Sequence, residues 1–428
     1  MSGRRLTGMS AVLSWVAVLA TISAQSQAAQ PNPPPQVCVN GKCVVTGDPP
    51  PVTSSGPQGP IKWNPGHYMA SYSKIYPGST ISTVQRELDD LNNQDAVLGF
   101  RMYITWGAME PTQGKYDFSV IDAIRTRLET AYNKPKRLVV YLILYNPSAL
   151  GTNDGGIVPL YIQQGQNYSA SPVAGSYGWW GANSNGNSTG MYAPALYTQP
   201  VMDRLIALVQ ALGQHLDGDP YVEAVEFNED ATVAQCASNN GTNTDPSYSD
   251  AAWLTQLQRL LTATTAAFPH TNVIMDNSWF NRPASAVALQ QWMLANRIAP
   301  GTSDSWGQSA LSNYGLSVLS DGMQTYLGVD ANAPTVDLRP KTRAMIAVEG
   351  PDIFGSYFGT KGGPWTPLDI LNAANQTYFA SHVFWTHLFG TEYFRGSPVP
   401  LAAKWPNLAA TLSANPLTHT AYPANYPQ

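Results

Sequence analysis

The chain has 428 residues and a formal net charge of −5; 12% of its residues are charged, 43% are apolar and 11% are aromatic. Charged residues are about half as frequent as in an average soluble protein, while the apolar share can build a large core, so general disorder is excluded. A mildly acidic chain without a run of Lys or Arg has little to offer a phosphate backbone, so we expect no nucleic-acid partner. The length allows two or three average domains or one large α/β barrel.

The N-terminal segment has the order of a secretory signal peptide. Arg4 and Arg5 precede an apolar run over residues 11–20, and small residues that include Ala28 follow it. This order predicts a signal peptide over residues 1–28, because an apolar run of about ten residues is too short to span a bilayer as a helix. An uncleaved anchor and a twin-arginine signal are the alternatives. We therefore expect a secreted or periplasmic protein without a membrane attachment after signal cleavage.

Residues 29–60 are rich in proline and predict a semi-rigid linker. Within this linker, Cys38 and Cys43 bracket an Asn-Gly pair, which is a strong turn signal, so we expect a small hairpin closed by a disulfide. The third cysteine, Cys236, is then left over as a lone thiol. The six histidines show no metal-binding spacing, so we expect neither a zinc site nor any other cofactor.

From residue 61 onward, short apolar runs alternate with amphipathic stretches, which is typical of parallel βα units. Eight strands are predicted, at residues 67–71, 98–104, 137–145, 222–228, 272–276, 302–306, 343–349 and 381–386. Helices are predicted at residues 80–93, 119–132, 199–216, 250–267, 285–297, 312–326, 366–378 and 402–413. These pairs predict an α/β fold, a (β/α)8 TIM barrel over residues 61–428. An open doubly wound sheet is the alternative, but no Gly-x-Gly-x-x-Gly turn follows the first strand.

Two predicted connections are unusually long. Residues 147–198 follow the third strand and carry seven aromatic residues, Trp179 and Trp180 among them. Residues 350–365 follow the seventh strand. A loop insertion of the first length is usually functional, and in a barrel it lies on the face where active sites are built.

Two of the predicted strands end in a glutamate, Glu229 at the fourth strand and Glu349 at the seventh. The carboxyl ends of parallel strands meet at the mouth of a barrel, where partial desolvation can raise the pKa of a carboxyl group for acid chemistry. Two such residues on opposite sides of one mouth indicate a paired-carboxylate site. Period-two alternation places Glu226 on the face opposite to Glu229 unless a bulge intervenes, so Glu226 is a rival for the acid role.

These two strand ends resemble those of the clan A glycoside hydrolases, although the chain does not match one named family of that clan. The clan has an Asn-Glu acid/base pair at the end of strand four and a nucleophilic Glu at the end of strand seven, which Asn228-Glu229 and Glu349 match. The resemblance implies a retaining mechanism in which Glu349 attacks the anomeric carbon while Glu229 protonates the leaving oxygen. Asn228 would then donate to the sugar 2-hydroxyl; its alternative role is to form the turn after the strand. Asp230 departs from the Pro or small residue that is commoner after the pair.

Three further segments carry the same resemblance. Residues 99–106 resemble the clan segment in which an arginine supports the nucleophile, which implies that role for Arg101. The run from Trp106 to Phe118 resembles the phrase W-x-x-x-E-P-x-x-G-x-Y-D-F. Trp385, on the eighth predicted strand, fits the aromatic platform for the cleaved sugar. A purely structural salt bridge between Arg101 and Glu349 is the alternative.

The other carboxylates near strand ends are expected to be structural. Glu110 is expected to hold the loop after the second strand through backbone amides. Caps or loop hydrogen bonds are expected for Asp230, Asp276 and Asp304.

Tryptophans are concentrated on the predicted mouth. Sugar rings expose C–H faces that stack on aromatic rings, so an aromatic cleft with few charges suits a neutral polysaccharide. The predicted mouth tryptophans are Trp106, Trp179, Trp180, Trp279, Trp306, Trp365 and Trp385. Core packing is the alternative for each of them, and it is the expectation for Trp253 and Trp292.

Taken together, these features predict an exported glycoside hydrolase that cleaves β-glycosidic bonds of a neutral poly- or oligosaccharide. The long third loop favours endo action along an extended cleft, although the same loop could close a pocket for exo action. We expect a monomer. The alternatives are a catalytically silent carbohydrate-binding barrel and a metal-dependent barrel hydrolase.

Overall fold

The structure is a computed structural model of the chain. It describes residues 36–39, 42–45, 61–92, 94–144, 156–164, 177–182, 188–228, 248–276, 283–302, 345–348, 366–386, 391–394, 397–400 and 407–422. The chain divides into two compact units, Met1–Thr46 and Gly47–Gln428, and each is described by itself.

The described part of the first unit is an antiparallel hairpin. Gln36–Val39 pairs with Lys42–Val45, and Cys38 lies directly opposite Cys43 in the register. These two strands form a hairpin, and the Asn-Gly pair between them lies outside the described residues. The disulfide between the two cysteines stays a prediction.

Eight parallel strands of the second unit form a closed barrel in chain order. Their bounds are β1 Gly66–Ile75, β2 Val97–Thr105, β3 Arg137–Ile143, β4 Val222–Phe227, β5 Asn272–Asp276, β6 Ile298–Thr302, β7 Met345–Val348 and β8 His382–Thr386. β8 pairs with β1, and β5 pairs with β6, so the sheet has no free edge. The predicted (β/α)8 barrel is confirmed.

In the described part of the chain, a helix follows each of these strands except β6, after which residues 303–344 are not described. The described helices are α1 Gln85–Asp90, α2 Ser119–Thr130, α3 Gln199–Leu216, α4 Asp250–Ala267, α5 Pro283–Ala295, α6 Pro367–Ala373 and α7 Leu408–Ala414. α4 begins after Ser249, whose side chain accepts from the Ala252 N–H, and α6 begins with a capping box between Thr366 and Asp369. Short helices also lie at Trp106–Met109 and Leu160–Gln164. Antiparallel hairpins pair Tyr177–Ala182 with Ser188–Pro194, and Thr391–Phe394 with Ser397–Pro400.

The barrel interior and the layer beneath the helices form two separate apolar clusters. The interior cluster consists of Tyr68, Ala70, Val139, Ala224, Ile274, Ala299 and Phe384. The Tyr68 ring needs a glycine beside it, because a Cβ on Gly99 would lie 2.4 Å from that ring and 2.3 Å from the Arg137 carbonyl oxygen. The interior is thus a packed core, and ligands can enter only at its ends.

A polar cluster fills the amino-terminal end of the barrel. Glu223 is fully buried, and its Oε1 accepts from the Asn64 N–H at 2.8 Å and lies 3.2 Å from both Asn272 Nδ2 and His382 Nε2. The pairing of β3 with β4 shifts at this residue, so strict alternation does not hold between Glu223 and Glu226. This cluster satisfies a buried charge at the end of the barrel opposite to the mouth.

Most predicted element bounds agree with the structure, and β6 is the main correction. The prediction put this strand at residues 302–306, whereas it spans Ile298–Thr302. Arg297 adopts a positive φ of 64°, which ends α5 abruptly and lets the strand start at once. Pro300 and Gly301 lie within the strand, and they resemble turn residues in the sequence. The helix predicted at 312–326 lies outside the described residues.

Candidate active site

The mouth of the barrel lies at the carboxyl ends of the strands. β4 ends at Phe227 and is followed by Asn228, and β7 ends at Val348. Glu229 and Glu349 are the next residues along the chain from Asn228 and Val348, and both lie outside the described residues. Their roles and their separation therefore stay predictions.

A buried ion pair lies inside the barrel, between β2 and β4. The Arg101 Nε donates to Glu226 Oε2 at 2.7 Å, and its Nη2 donates to Glu226 Oε1 at 2.6 Å. Only 1% of Arg101 and 2% of Glu226 is exposed. This two-point geometry is the strong form of an arginine–carboxylate contact.

Burial and charge act in opposite directions on this pair. Burial raises the pKa of Glu226, and the guanidinium of Arg101 opposes that rise. Burial acts to lower the pKa of Arg101, but Glu226, Tyr103 and Tyr141 together outweigh it and hold that pKa well above its usual value. Both oxygens of Glu226 accept from Arg101 and the residue is 2% exposed, so the carboxyl group is committed to the ion pair and shielded from a glycosidic oxygen. The structure therefore argues against Glu226 as the rival acid.

Aromatic rings surround the guanidinium of Arg101. Its Nη1 donates to the Tyr103 hydroxyl at 2.9 Å, and its central carbon lies 4.2 Å from the Tyr141 ring centroid and 4.9 Å from that of Phe384. The Tyr103 and Tyr141 rings meet edge to face with centroids 4.8 Å apart. Neither tyrosine was predicted from the sequence as a site residue. Period-two spacing from Arg101 could have identified Tyr103, because residues two apart in a strand share a face.

Asn228 has a backbone role at the end of β4. Its N–H donates to the Leu142 carbonyl at 3.3 Å, and its Oδ1 accepts from the Leu144 N–H at 3.2 Å. The side-chain oxygen thus ties the end of β4 to the end of β3, which fits the turn-forming alternative. Donation from its amide nitrogen to a sugar hydroxyl stays a prediction.

The proposed sugar-stacking role of Trp106 is wrong in this structure. Its side chain is fully buried within the outer apolar cluster, and its indole N–H donates to Glu110 Oε2 at 2.8 Å. No ring face remains for a sugar. Glu110 accepts from the Gly114 N–H at 2.8 Å, so its predicted role of holding the loop after β2 is confirmed.

Trp385 also needs correction as a sugar platform. It is 1% exposed and belongs to the outer cluster, whereas its neighbour Phe384 belongs to the interior cluster. Alternation along β8 turns the Trp385 indole away from the interior, and its N–H donates to His67 Nδ1 at 3.2 Å. The position of Trp385 on the eighth strand was predicted correctly, but the face of the strand on which its side chain lies was not.

The burial of His67 beside Trp385 leads us to expect that the folded chain loses stability in acid. Burial lowers the pKa of His67 from 6.5 to about 4, so the folded chain holds this imidazole neutral. Between pH 6.5 and 4 the unfolded chain binds a proton that the folded chain does not, so stability falls as pH falls through this window. A pKa difference of this size between the folded and the unfolded chain corresponds to a change of about 3 kcal/mol in the free energy of unfolding.

Urea denaturation of wild type and His67→Asn at pH 7 and pH 4.5 measures this effect, because Asn offers an acceptor to Trp385 but does not titrate. We expect wild type to lose more stability than the variant on acidification. Equal losses would rule out His67 as the source.

The remaining predicted tryptophans divide by position. Trp179 pairs with Tyr192 and Trp180 with Met191 in the hairpin of the connection after β3. Their contact with sugar stays a prediction. Outside the described residues lie Trp279, Trp306, Trp365, Cys236, Asp230 and Asp304. Trp253 is 2% exposed and Trp292 packs partly buried against the core, as predicted.

Among the residues that the structure describes, no three His, Cys, Asp or Glu side chains come together in a way that could hold a metal ion. Likewise, no helix in this part of the chain has the length and apolar character needed to cross a membrane.

The chain is similar to known proteins in structure and not in sequence. The sequence matches no known family profile and no curated protein. GH5_18 from Streptomyces cattleya, solved with Manβ1-4GlcNAc, matches with a TM-score of 0.50 and 13% identity over 82% of this chain and 80% of its own. The chain shares the fold of GH5_18. This likeness shows the fold alone, and it agrees with the predicted (β/α)8 barrel.

Two further solved structures match with lower scores. An endogalactoceramidase has a TM-score of 0.46 at 15% identity, over 82% of this chain and 81% of its own. Endo-glycoceramidase II from Rhodococcus sp. has a TM-score of 0.47 at 12% identity, over 81% of this chain and 80% of its own.

Proposed function

We propose that the chain is an exported glycoside hydrolase that cleaves β-glycosidic bonds of a neutral poly- or oligosaccharide. Glu229 acts as general acid/base and Glu349 as nucleophile. The observation that carries the proposal is that β4 and β7 end just before these two residues in one closed parallel barrel. The barrel fold shared with GH5_18 supports the same reading.

The chemistry needs two carboxyl groups with different protonation states. In a retaining mechanism, Glu349 as carboxylate attacks the anomeric carbon while Glu229 as acid gives its proton to the leaving oxygen. Glu229 then takes a proton from water, and that water displaces Glu349 from the sugar. Two carboxyl groups about 5 Å apart permit this sequence, whereas wider spacing admits a water and inverts the anomeric centre.

The charges of the described site favour a neutral sugar. Arg101 is compensated by Glu226 inside the barrel, so this pair offers no net charge to a ligand. Tyr103 is partly exposed beside the pair and can supply a ring face and a hydroxyl. Trp179 and Trp180, on the connection after β3, are the candidates for an extended cleft and thus for endo action.

The test is a glycan screen on the mature chain starting after Ala28. The panel comprises β-glucans, mannans, xylans, galactans, bacterial exopolysaccharides and Manβ1-4GlcNAc, the sugar bound by GH5_18. We expect new reducing ends on at least one substrate, unchanged after exhaustive chelation, and intermediate product lengths from a defined oligosaccharide. Release of monosaccharide alone contradicts endo action, and loss of activity on chelation contradicts the metal-free mechanism.

The same screen separates the hydrolase from a silent carbohydrate-binding barrel. Calorimetric binding of a glycan without any bond cleavage would identify the silent barrel and overturn the proposed activity. We further propose that the protein is secreted or periplasmic. N-terminal sequencing of the exported product should find a start near residue 29.

A further inference from the structure

A buried ion pair joins the loop after β2 to helix α3. Glu110 is fully buried, and its Oε1 accepts from Arg204 Nη2 at 2.5 Å as well as from the Gly114 N–H. Arg204 lies in the second turn of α3 and is 6% exposed. The glutamate therefore fixes the loop, and the arginine fixes the glutamate to the helix.

The same arginine holds the connection after β3. Its Nε donates to the Tyr161 hydroxyl at 3.3 Å, and its Nη2 lies 3.5 Å from the Tyr116 hydroxyl oxygen. Tyr161 belongs to the short helix Leu160–Gln164, which lies on the connection leading from β3 into α3. One guanidinium thus ties the start of this connection to the helix at its end and to the loop after β2.

Close backbone contacts connect the loop after β2 to the connection after β3, and that connection to the loop after β1. Thr105 Oγ1 donates to the Gly156 carbonyl at 3.0 Å, and the Gly107 N–H donates to the Ile157 carbonyl at 2.9 Å. A Cβ on Gly107 would come within 2.1 Å of the Gly156 oxygen, and a Cβ on Gly156, whose φ is +111°, within 2.4 Å of Pro77. Pro77 follows β1, so the loops after three consecutive strands are in contact at the mouth.

We propose that Arg204 is a positioning residue that locks the loops after β2 and β3 together, with the loop after β1 packed against Gly156, and that the wall of the mouth formed by these three loops binds sugar units beyond the cleaved bond. This inference rests on the proposed function for its substrate. The wall presents an apolar side chain, because Leu160 beside Tyr161 is 50% exposed. β4 and β7 carry the proposed carboxylates and lie outside this wall, so loosening the wall should affect distant sugar units more than bond cleavage.

The contacts of Arg204 with Glu110, Tyr116 and Tyr161, which we call the clamp, need an arginine and not just any cation. A guanidinium offers several N–H groups in a fixed plane, so it can contact Glu110, Tyr116 and Tyr161 together. A lysine can still pair with Glu110 but cannot span all three partners. Arg204→Lys therefore removes the clamp while it keeps the buried charge compensated.

The experiment compares kinetics on short and long substrates for Arg204→Lys and Tyr161→Phe. Arg259→Lys is the matched control, because Arg259 pairs with Asp203 on the exposed surface of α3 and α4. We expect Arg204→Lys to raise KM for the longest oligosaccharide about tenfold with kcat unchanged, and to leave kcat/KM for an aryl monoglycoside within about twofold. Tyr161→Phe, which removes one hydroxyl group, should show a smaller change of the same kind.

A second readout is independent of activity. Limited proteolysis should cut residues 145–176 faster in Arg204→Lys than in wild type or Arg259→Lys. Equal kinetic effects on short and long substrates, or unchanged proteolysis, overturn the clamp. If wild type hydrolyses no glycan, the role in specificity falls with the proposed function, while faster proteolysis still supports the clamp itself.

Discussion

Replacing Glu349 with Gln should abolish measurable turnover on every glycoside, with a loss on the order of 10⁴-fold or more, which corresponds to about 5 kcal/mol of transition-state stabilisation. The amide keeps the size and the hydrogen-bonding reach of the side chain but cannot attack the anomeric carbon. Glycan affinity should therefore persist, because binding does not need the nucleophile. Initial rates and calorimetric titration of the variant measure the two effects separately.

Replacing Glu229 with Gln should instead give a loss that depends on the leaving group. A sugar with a natural alcohol leaving group needs a proton, so its hydrolysis should slow by about 10²–10⁴-fold. An activated aryl glycoside leaves without that proton, so its first step should survive and the glycosyl-enzyme should accumulate. Added azide should then attack this intermediate and restore turnover, giving a glycosyl azide with the configuration of the substrate.

Asp230→Asn is the matched control for Glu229→Gln, because it removes one carboxylate charge from the adjacent position. It should retain most activity on both substrate types. Azide rescue of Glu349→Gln with the substrate's own configuration would reverse the two assignments. Full activity in either glutamate variant would remove that residue from the mechanism.

The sequence could predict the barrel because its strands and helices carry clear periods. The α3 and α4 bounds, 199–216 and 250–267, agree with the structure since their apolar spacing of three and four runs without interruption. The bounds of β6 were mispredicted because Pro300 and Gly301, which usually mark turns, lie here within a short parallel strand. Local pattern thus determined the element type well and failed where a strand contained turn-forming residues.

The side-chain contacts around the candidate site were harder to predict from the sequence than the barrel itself. A strand-end tryptophan can face the mouth or the helices. Trp385 alternates with the interior residue Phe384 and so lies on the outer face of β8, and Trp106 begins a short helix instead of continuing β2. Arg101 was identified through its motif, but its partner Glu226 lies 125 positions away along the chain. Only closure of the barrel brings β2 and β4 into range of such a contact.

Replacing Glu226 with Gln should destabilise the barrel by about 3–5 kcal/mol, because it leaves the Arg101 cation buried without its counter-charge. The ionised carboxyl group is not favourable on its own account, since burial raises the pKa of Glu226. Its contribution is to hold Arg101 charged against the desolvation that acts on the guanidinium. Urea denaturation monitored by circular dichroism measures the loss.

The double variant Arg101→Met/Glu226→Leu separates a lost ion pair from general damage to the barrel. Its unbranched Met side chain can keep the contact that Arg101 makes with the Tyr141 ring, and no buried charge remains. We expect the double variant to be more stable than Glu226→Gln, with a coupling of about 2 kcal/mol or more in the cycle completed by the two single variants. Asp203→Asn breaks the exposed pair with Arg259 and should cost no more than about 1 kcal/mol. Additive losses in the double variant would mean that Arg101 and Glu226 stabilise the barrel through separate contacts rather than through each other.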